Sequence, residues 1–108
     1  MAKWVDAGVL SELPLGTVKK YEVADIDMAI AHTSEGVFAV EDVCSHAEVA
    51  LSEGELSGCF LECWLHGSAF DLKTGMPSGP PATKPVQVFP VQIQGEGDTA
   101  IITVQVSE

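Results

Sequence analysis

Residues 63–71 read Cys-Trp-Leu-His-Gly-Ser-Ala-Phe-Asp and place a thiol and an imidazole three residues apart. A second pair, Cys44-Ser45-His46, comes earlier, and sixteen residues separate the two pairs. Thiolate and imidazole are the donors that zinc and iron–sulfur centres use, and the two residues of each pair are close enough in sequence to bind one metal centre. Two such pairs on neighbouring loops therefore predict a metal site whose four ligands are Cys44, His46, Cys63 and His66.

The donor set leaves two metals open. Two Cys and two His suit tetrahedral zinc, but zinc fingers usually pair Cys with Cys and His with His. Here each pair is mixed, which also suits a [2Fe–2S] cluster with both thiolates on one iron and both imidazoles on the other. In its oxidised form such a cluster is neutral, because two Fe(III), two sulfides and two thiolates cancel.

Outside the two pairs the sequence is typical of short strands. Alternating or apolar runs between turn residues occur at 28–32, 37–40, 59–63, 69–72, 86–93 and 100–106. Thr33-Ser34-Glu35-Gly36 predicts a hairpin turn, and Pro90 predicts an edge or a bulge in the run that contains it. The segments 44–58 and 76–85 do not fit strands. The pattern predicts an all-β protein built from small antiparallel sheets.

At these residues the chain resembles the Rieske [2Fe–2S] family, whose motif is C-x-H, a spacer of about sixteen residues, and C-x-x-H. Residues 63–71 are similar to the second cluster loop of that family, and Lys73-Thr74-Gly75 is similar to the turn after it. Ser78-Gly79-Pro80-Pro81-Ala82 is similar to the proline loop that covers the cluster. The resemblance spans most of the chain.

The resemblance implies a single domain over residues 1–108, made of stacked antiparallel sheets with a cluster-binding subdomain at one tip. The cluster loops then run over about 43–50 and 62–71, and the proline loop over about 76–85. One [2Fe–2S] cluster per chain is implied. Its inner iron is bound by Cys44 and Cys63, its outer iron by His46 and His66, and Ser68 donates a hydrogen bond to it.

Three departures from the family pattern bear on the reduction potential. Val49 and Leu65 stand where high-potential members carry a disulfide that ties the loops, and Phe70 stands where a tyrosine hydroxyl often donates a hydrogen bond. Because fewer donors stabilise the reduced cluster less, we expect a potential near the low end of the Rieske range, about −150 mV. Cys59 does not match the bridge and reads as a small buried hydrophobe.

Charge and length bound the partners. The chain has 108 residues and a net charge of −11, and between Lys20 and Lys73 it carries eleven acids and no Lys or Arg. This balance argues against nucleic acid, and no stretch is long and apolar enough to span a membrane. The acidic half either keeps the protein soluble or attracts a partner with a basic surface. No signal peptide is evident near the N-terminus, so a cytoplasmic location is expected.

No nucleophile–base pair, phosphate loop or nicotinamide motif accompanies the metal ligands. The leading hypothesis is therefore an electron-transfer protein and not an enzyme. The resemblance implies that it passes single electrons from a reductase to a terminal oxygenase or another redox enzyme. The alternatives are a fixed electron-transfer subunit of a nitrite reductase or dioxygenase complex, a role in iron–sulfur assembly, and a structural zinc module that only binds other proteins.

Overall fold

The computed structural model describes residues 2–43, 50–63, 69–78 and 85–107. Ten strands and three short 3-10 helices occur in these residues. The strands are β1 Ala2–Val9, β2 Thr17–Val23, β3 Ile26–Thr33, β4 Gly36–Glu41, β5 Glu55–Ser57, β6 Phe60–Glu62, β7 Ala69–Asp71, β8 Val88–Phe89, β9 Val91–Gln94 and β10 Ile101–Ser107. The 3-10 helices are Leu10–Glu12, Leu51–Glu53 and Gly97–Thr99.

The strands of these described ranges form three antiparallel sheets, with strand orders β1-β10-β9, β2-β3-β4-β8 and β5-β6-β7. The four-stranded sheet has a buried cluster on each of its faces, and β3 shows why. Met28 and Ile30 join one cluster while Ala29 and Ala31 join the other, and all four side chains are fully buried. Because successive side chains of a strand point to opposite faces, this apolar run is typical of a strand in the middle of stacked layers.

Each buried cluster packs a different sheet against the four-stranded sheet in the middle. The first contains Ile102, Val104 and Val106 of β10. The second contains Leu61 of β6, Phe70 of β7 and Cys63. The small alanines of β3 thus face the β5-β6-β7 sheet, and its larger side chains face the β1-β10-β9 sheet. This arrangement confirms the predicted all-β fold of stacked small sheets.

The predictions for individual turns and strands are confirmed in part. The hairpin turn at residues 33–36 is confirmed, since β3 and β4 pair directly across it from Thr33 to Gly36. Pro90 separates β8, which pairs with β4, from β9, which pairs with β10, so the chain changes sheets at the proline. The prediction that residues 44–58 hold no strand was wrong at Glu55–Ser57. Among the described residues, no helix has the length and apolar character needed to cross a membrane.

Candidate metal centre

Cys63 is the one predicted ligand that lies within the described residues. It follows β6 directly, its side chain is fully buried, and it is not part of a disulfide. The register pairs Glu62 with Ala69, so residues 63–68 connect two adjacent antiparallel strands. The free thiol of the first residue in this connection is therefore shielded from water. The other predicted site residues, Cys44, His46, His66 and Ser68, lie outside the described part of the chain.

The first ligand segment has well-defined ends. The N–H of Asp42 donates to O of Asp27 (3.0 Å), which extends the β3–β4 ladder by one rung. The Asp42 carboxylate accepts from the N–H of Ser52 (2.6 Å) and from its hydroxyl (2.8 Å). Leu51, beside that serine, is fully buried in the cluster that contains Cys63. The two ends of the segment that carries Cys44 and His46 are therefore held close together.

The start of the proline segment pairs with β7, the strand that follows the second ligand segment. The N–H of Ser78 donates to O of Ala69 (2.7 Å), and that of Asp71 donates to O of Met76 (2.9 Å). Phe70 and Pro77 form an isolated antiparallel bridge between these bonds. Residues 76–78 thus continue the β5-β6-β7 sheet next to the strand that follows residues 64–68.

Two glycines permit close backbone contacts around the same region. A Cβ on Gly75 would lie 2.1 Å from O of Val86, and the glycine has φ +80°. A Cβ on Gly54 would lie 1.8 Å from O of Glu62, the residue before Cys63. Neither contact is possible for a residue with a side chain unless the backbone shifts. Gly75 was expected to serve a turn, whereas nothing in the sequence indicated the contact at Gly54.

Cys59 lies at the other end of β6, where three turns meet. Its thiol donates to Oε2 of Glu35 (3.1 Å) and lies 3.6 Å from the Thr33 hydroxyl, and its carbonyl accepts from the N–H of Leu72 (2.8 Å). The hydrogen bond from Lys73, with that from the thiol, lowers the pKa of Glu35. Cys59 is buried, as predicted, but its thiol also joins the middle sheet to the β5-β6-β7 sheet.

Comparison with known proteins identifies the family. Residues 3–90 match the Rieske [2Fe-2S] domain family. The chain belongs to this family. Ferredoxin CarAc of Metapseudomonas resinovorans is 35% identical over 99 residues, which make up 91% of this chain and 92% of that protein.

Solved structures agree with the family match. The ferredoxin of carbazole 1,9a-dioxygenase from Nocardioides aromaticivorans IC177 has a TM-score of 0.84 and 29% identity, covering 94% of this chain and 96% of that one. A chain in the complex of reduced oxygenase and oxidized ferredoxin in carbazole 1,9a-dioxygenase has a TM-score of 0.81 and 32% identity, covering 94% and 92%.

These matches confirm the predicted Rieske-type [2Fe–2S] cofactor and the role of an electron-transfer protein, because the relatives are ferredoxins and not catalysts. They favour iron–sulfur ligation over the zinc alternative. Redox proteins are the expected class of partner, since a relative is seen in complex with an oxygenase. The assignment of individual ligands stays a prediction.

Proposed function

We propose that this ferredoxin takes single electrons from a reductase and delivers them to a terminal oxygenase or a similar redox enzyme. The observation that carries the proposal is the position of Cys63, a fully buried free thiol in the first residue of the connection between β6 and β7. That connection also contains His66, in the spacing of the family motif. A bound [2Fe–2S] cluster supplies one-electron chemistry at such a site.

The donor set fits that cluster. Cys63 would hold the inner iron together with Cys44, and His46 and His66 would hold the outer iron. Ser68 would donate a hydrogen bond. The described residues exclude water on the Cys63 side, since that thiol packs in one buried cluster with Leu51, Leu61 and Phe70. A buried thiolate without a metal is costly, so binding iron gives this side chain a favourable state.

The charge of the β5-β6-β7 sheet supports a partner with a basic surface. Glu55 and Glu62 are direct cross-strand partners, and both are exposed. Like charges directly opposite each other destabilise a sheet. Contact with basic side chains of a partner would relieve that repulsion. Because Glu62 directly precedes Cys63, such a partner would lie close to the candidate site. We propose a small and transient interface, below about 1,200 Å² in total.

Two further features belong to the proposal. The chain acts as a single domain over residues 1–108, with cluster loops at about 43–50 and 62–71 and a proline loop at about 76–85. Its location is the cytoplasm, a reducing compartment that suits the free thiols of Cys59 and Cys63.

Metal and sulfide analysis of the purified protein tests the cofactor. We expect two irons and two sulfides per chain, a red-brown colour and a Rieske EPR signal after reduction with dithionite. Cys63→Ser and His66→Cys are expected to abolish that signal. A colourless protein with one zinc would instead support the structural zinc module and contradict the proposal.

Electron transfer at varied salt tests the partner. The rate constants for electron transfer from a reductase to this ferredoxin, and from the ferredoxin to a Rieske-type oxygenase, should fall as the salt concentration rises. The double variant Glu55→Gln/Glu62→Gln should lose several-fold in rate at low salt. The control Glu96→Gln/Asp98→Asn removes equal charge elsewhere and should change the rate less than twofold. Equal losses in both variants would contradict docking at this sheet, and co-purification at high salt would indicate a fixed subunit.

A further inference from the structure

Two consecutive acids at the end of β4 each hold a segment that flanks the candidate site. Glu41 ends β4, and its N–H donates to O of Gln87 (2.9 Å). The N–H of Gln87 donates in turn to Oε1 of the Glu41 side chain (2.9 Å). In a regular antiparallel ladder two such opposed residues exchange both backbone bonds. Here the carboxylate accepts the second bond in place of the backbone carbonyl.

Asp42 makes the second contact on a different segment. Its side chain is only 7% exposed, and its two oxygens accept from the N–H and the hydroxyl of Ser52 at 2.6 and 2.8 Å. These bonds join Asp42 to a residue ten positions further along the chain. Because the carboxylate is buried, loss of either bond also leaves a polar group without a partner.

The two contacts fix the ends of two different segments. The Asp42–Ser52 contact closes the stretch that carries Cys44 and His46. The Glu41–Gln87 contact holds the exit of the proline segment, whose entry lies beside β7 through the bond from Ser78 to Ala69. Glu41 is the last residue of β4, and Asp42 follows it directly. One strand end therefore sets the spacing between both segments.

We propose that Glu41 and Asp42 are positioning residues that hold the first ligand segment and the proline segment in register around the cluster. This inference rests on the proposed function, because it assigns the acids a role toward a cluster bound by Cys44 and Cys63. The acids act through hydrogen-bond geometry, and their negative charge is not what the cluster requires.

Alanine and amide variants of the holo-protein separate geometry from charge. Asp42→Ala and Glu41→Ala remove both the carboxylate and its bonds. Asp42→Asn and Glu41→Gln remove the charge but keep an oxygen that can accept from the backbone N–H. Glu22→Ala, at an exposed acid on β2 of the same sheet, is the control for loss of charge and side chain.

Three readouts are measured on each variant: the rate at which the visible absorbance of the cluster is lost, the EPR g-values with the midpoint potential, and hydrogen exchange at the amides of Ser52 and Gln87. We expect Asp42→Ala to lose the cluster roughly tenfold faster than the wild type, as for other residues that orient metal ligands. Its g-values should change, and exchange at Ser52 should be faster. Glu41→Ala should do the same at Gln87.

The amide variants should stay within about twofold of the wild type in all three readouts. If they behave like the alanine variants, charge and not position matters, and the proposal is wrong. It is also wrong if the alanine variants match Glu22→Ala. Should Asp42→Ala fail to fold, Ser52→Ala removes a single bond and is expected to lose the cluster about threefold faster; no change would contradict the Asp42 contact.

Failure of the proposed function gives a different result. In that case the wild type itself carries no [2Fe–2S] cluster, or its cluster passes no electrons between a reductase and an oxygenase. Failure of the positioning proposal instead leaves a wild type with a normal cluster and alanine variants whose cluster is equally long-lived.

Discussion

Gly54→Ala tests the closest backbone contact beside the candidate site without changing backbone conformation. Gly54 has φ −86° and ψ −166°, values that alanine adopts readily. At an open position with such a φ, replacing glycine by alanine stabilises a protein by about 0.4–1 kcal/mol. Here the added Cβ would lie 1.8 Å from O of Glu62, while real Cβ atoms stay beyond 3.0 Å. The two segments must therefore separate by about 1.2 Å.

The separation falls on the central strand of the β5-β6-β7 sheet. Glu62 pairs with Glu55 on one side and with Ala69 on the other. A shift of this size lengthens ladder bonds well beyond the usual 2.7–3.2 Å. Loss of two such bonds costs about 1–3 kcal/mol. We expect Gly54→Ala to destabilise the protein by about 2 kcal/mol and to shorten the lifetime of the cluster, because Cys63 follows Glu62 directly.

Urea unfolding followed by far-ultraviolet circular dichroism, with the visible absorbance of the cluster in parallel, measures both effects. Gly97→Ala is the control, since Gly97 has φ +67° and open space around it. Its cost comes from backbone conformation alone, about 1–2 kcal/mol, and its cluster should be as long-lived as that of the wild type. A Gly54→Ala protein as stable as the wild type, or more stable, would refute the close contact.

Three other expectations concern single residues. Phe70→Tyr should raise the midpoint potential by roughly 40 mV, if the new hydroxyl donates a bond worth about 1 kcal/mol more to the reduced cluster; an unchanged or lower potential in a voltammetric titration contradicts this. Burial and the charge of Glu12 raise the pKa of Tyr21 above 10.0, so its ultraviolet tyrosinate absorbance should appear at a higher pH than in the unfolded chain. Because the folded pKa is the higher one, the contribution of Tyr21 to the free energy of unfolding is fully present below pH 10 and is lost as the pH rises through the folded pKa. Glu12→Gln should lower the pH at the midpoint of the Tyr21 titration. Gly75→Ala combines a clash against O of Val86 with φ +80° and should cost at least about 2 kcal/mol in thermal unfolding; a smaller loss would contradict the close contact with Val86.

Local chemistry explains which elements could be predicted. The turn at residues 33–36 and the break at Pro90 follow from residues that favour or forbid particular backbone geometries, so they were found without tertiary information. The buried run of β3 was also visible as an apolar segment. By contrast, Trp4 is a large apolar side chain on β1, yet it is 47% exposed. Hydrophobicity alone does not tell which side of a strand another sheet covers.

The contacts around the candidate site depend on residues that are far apart in sequence. Asp42 and Ser52 are ten residues apart, and Glu41 and Gln87 are 46 apart. Two acids before a Cys-x-His motif carry no signal of such partners, since the same pair could lie in solvent. The strand at Glu55–Ser57 was missed for a related reason: three residues with one half-buried side chain give no periodic pattern.

The sequence by itself determined the available chemistry, because two thiols and two imidazoles at that spacing suit either zinc or a [2Fe–2S] cluster, and its resemblance to the Rieske family indicates the cluster. It also determined the sheet architecture in outline, through the positions of its turns and apolar runs. Only the tertiary structure decided how the Cys63 thiol is buried, which acids bond to loop ends and which glycines contact a neighbouring strand. Those properties arise when segments distant along the chain pack together, and the packing places partners that no local pattern encodes.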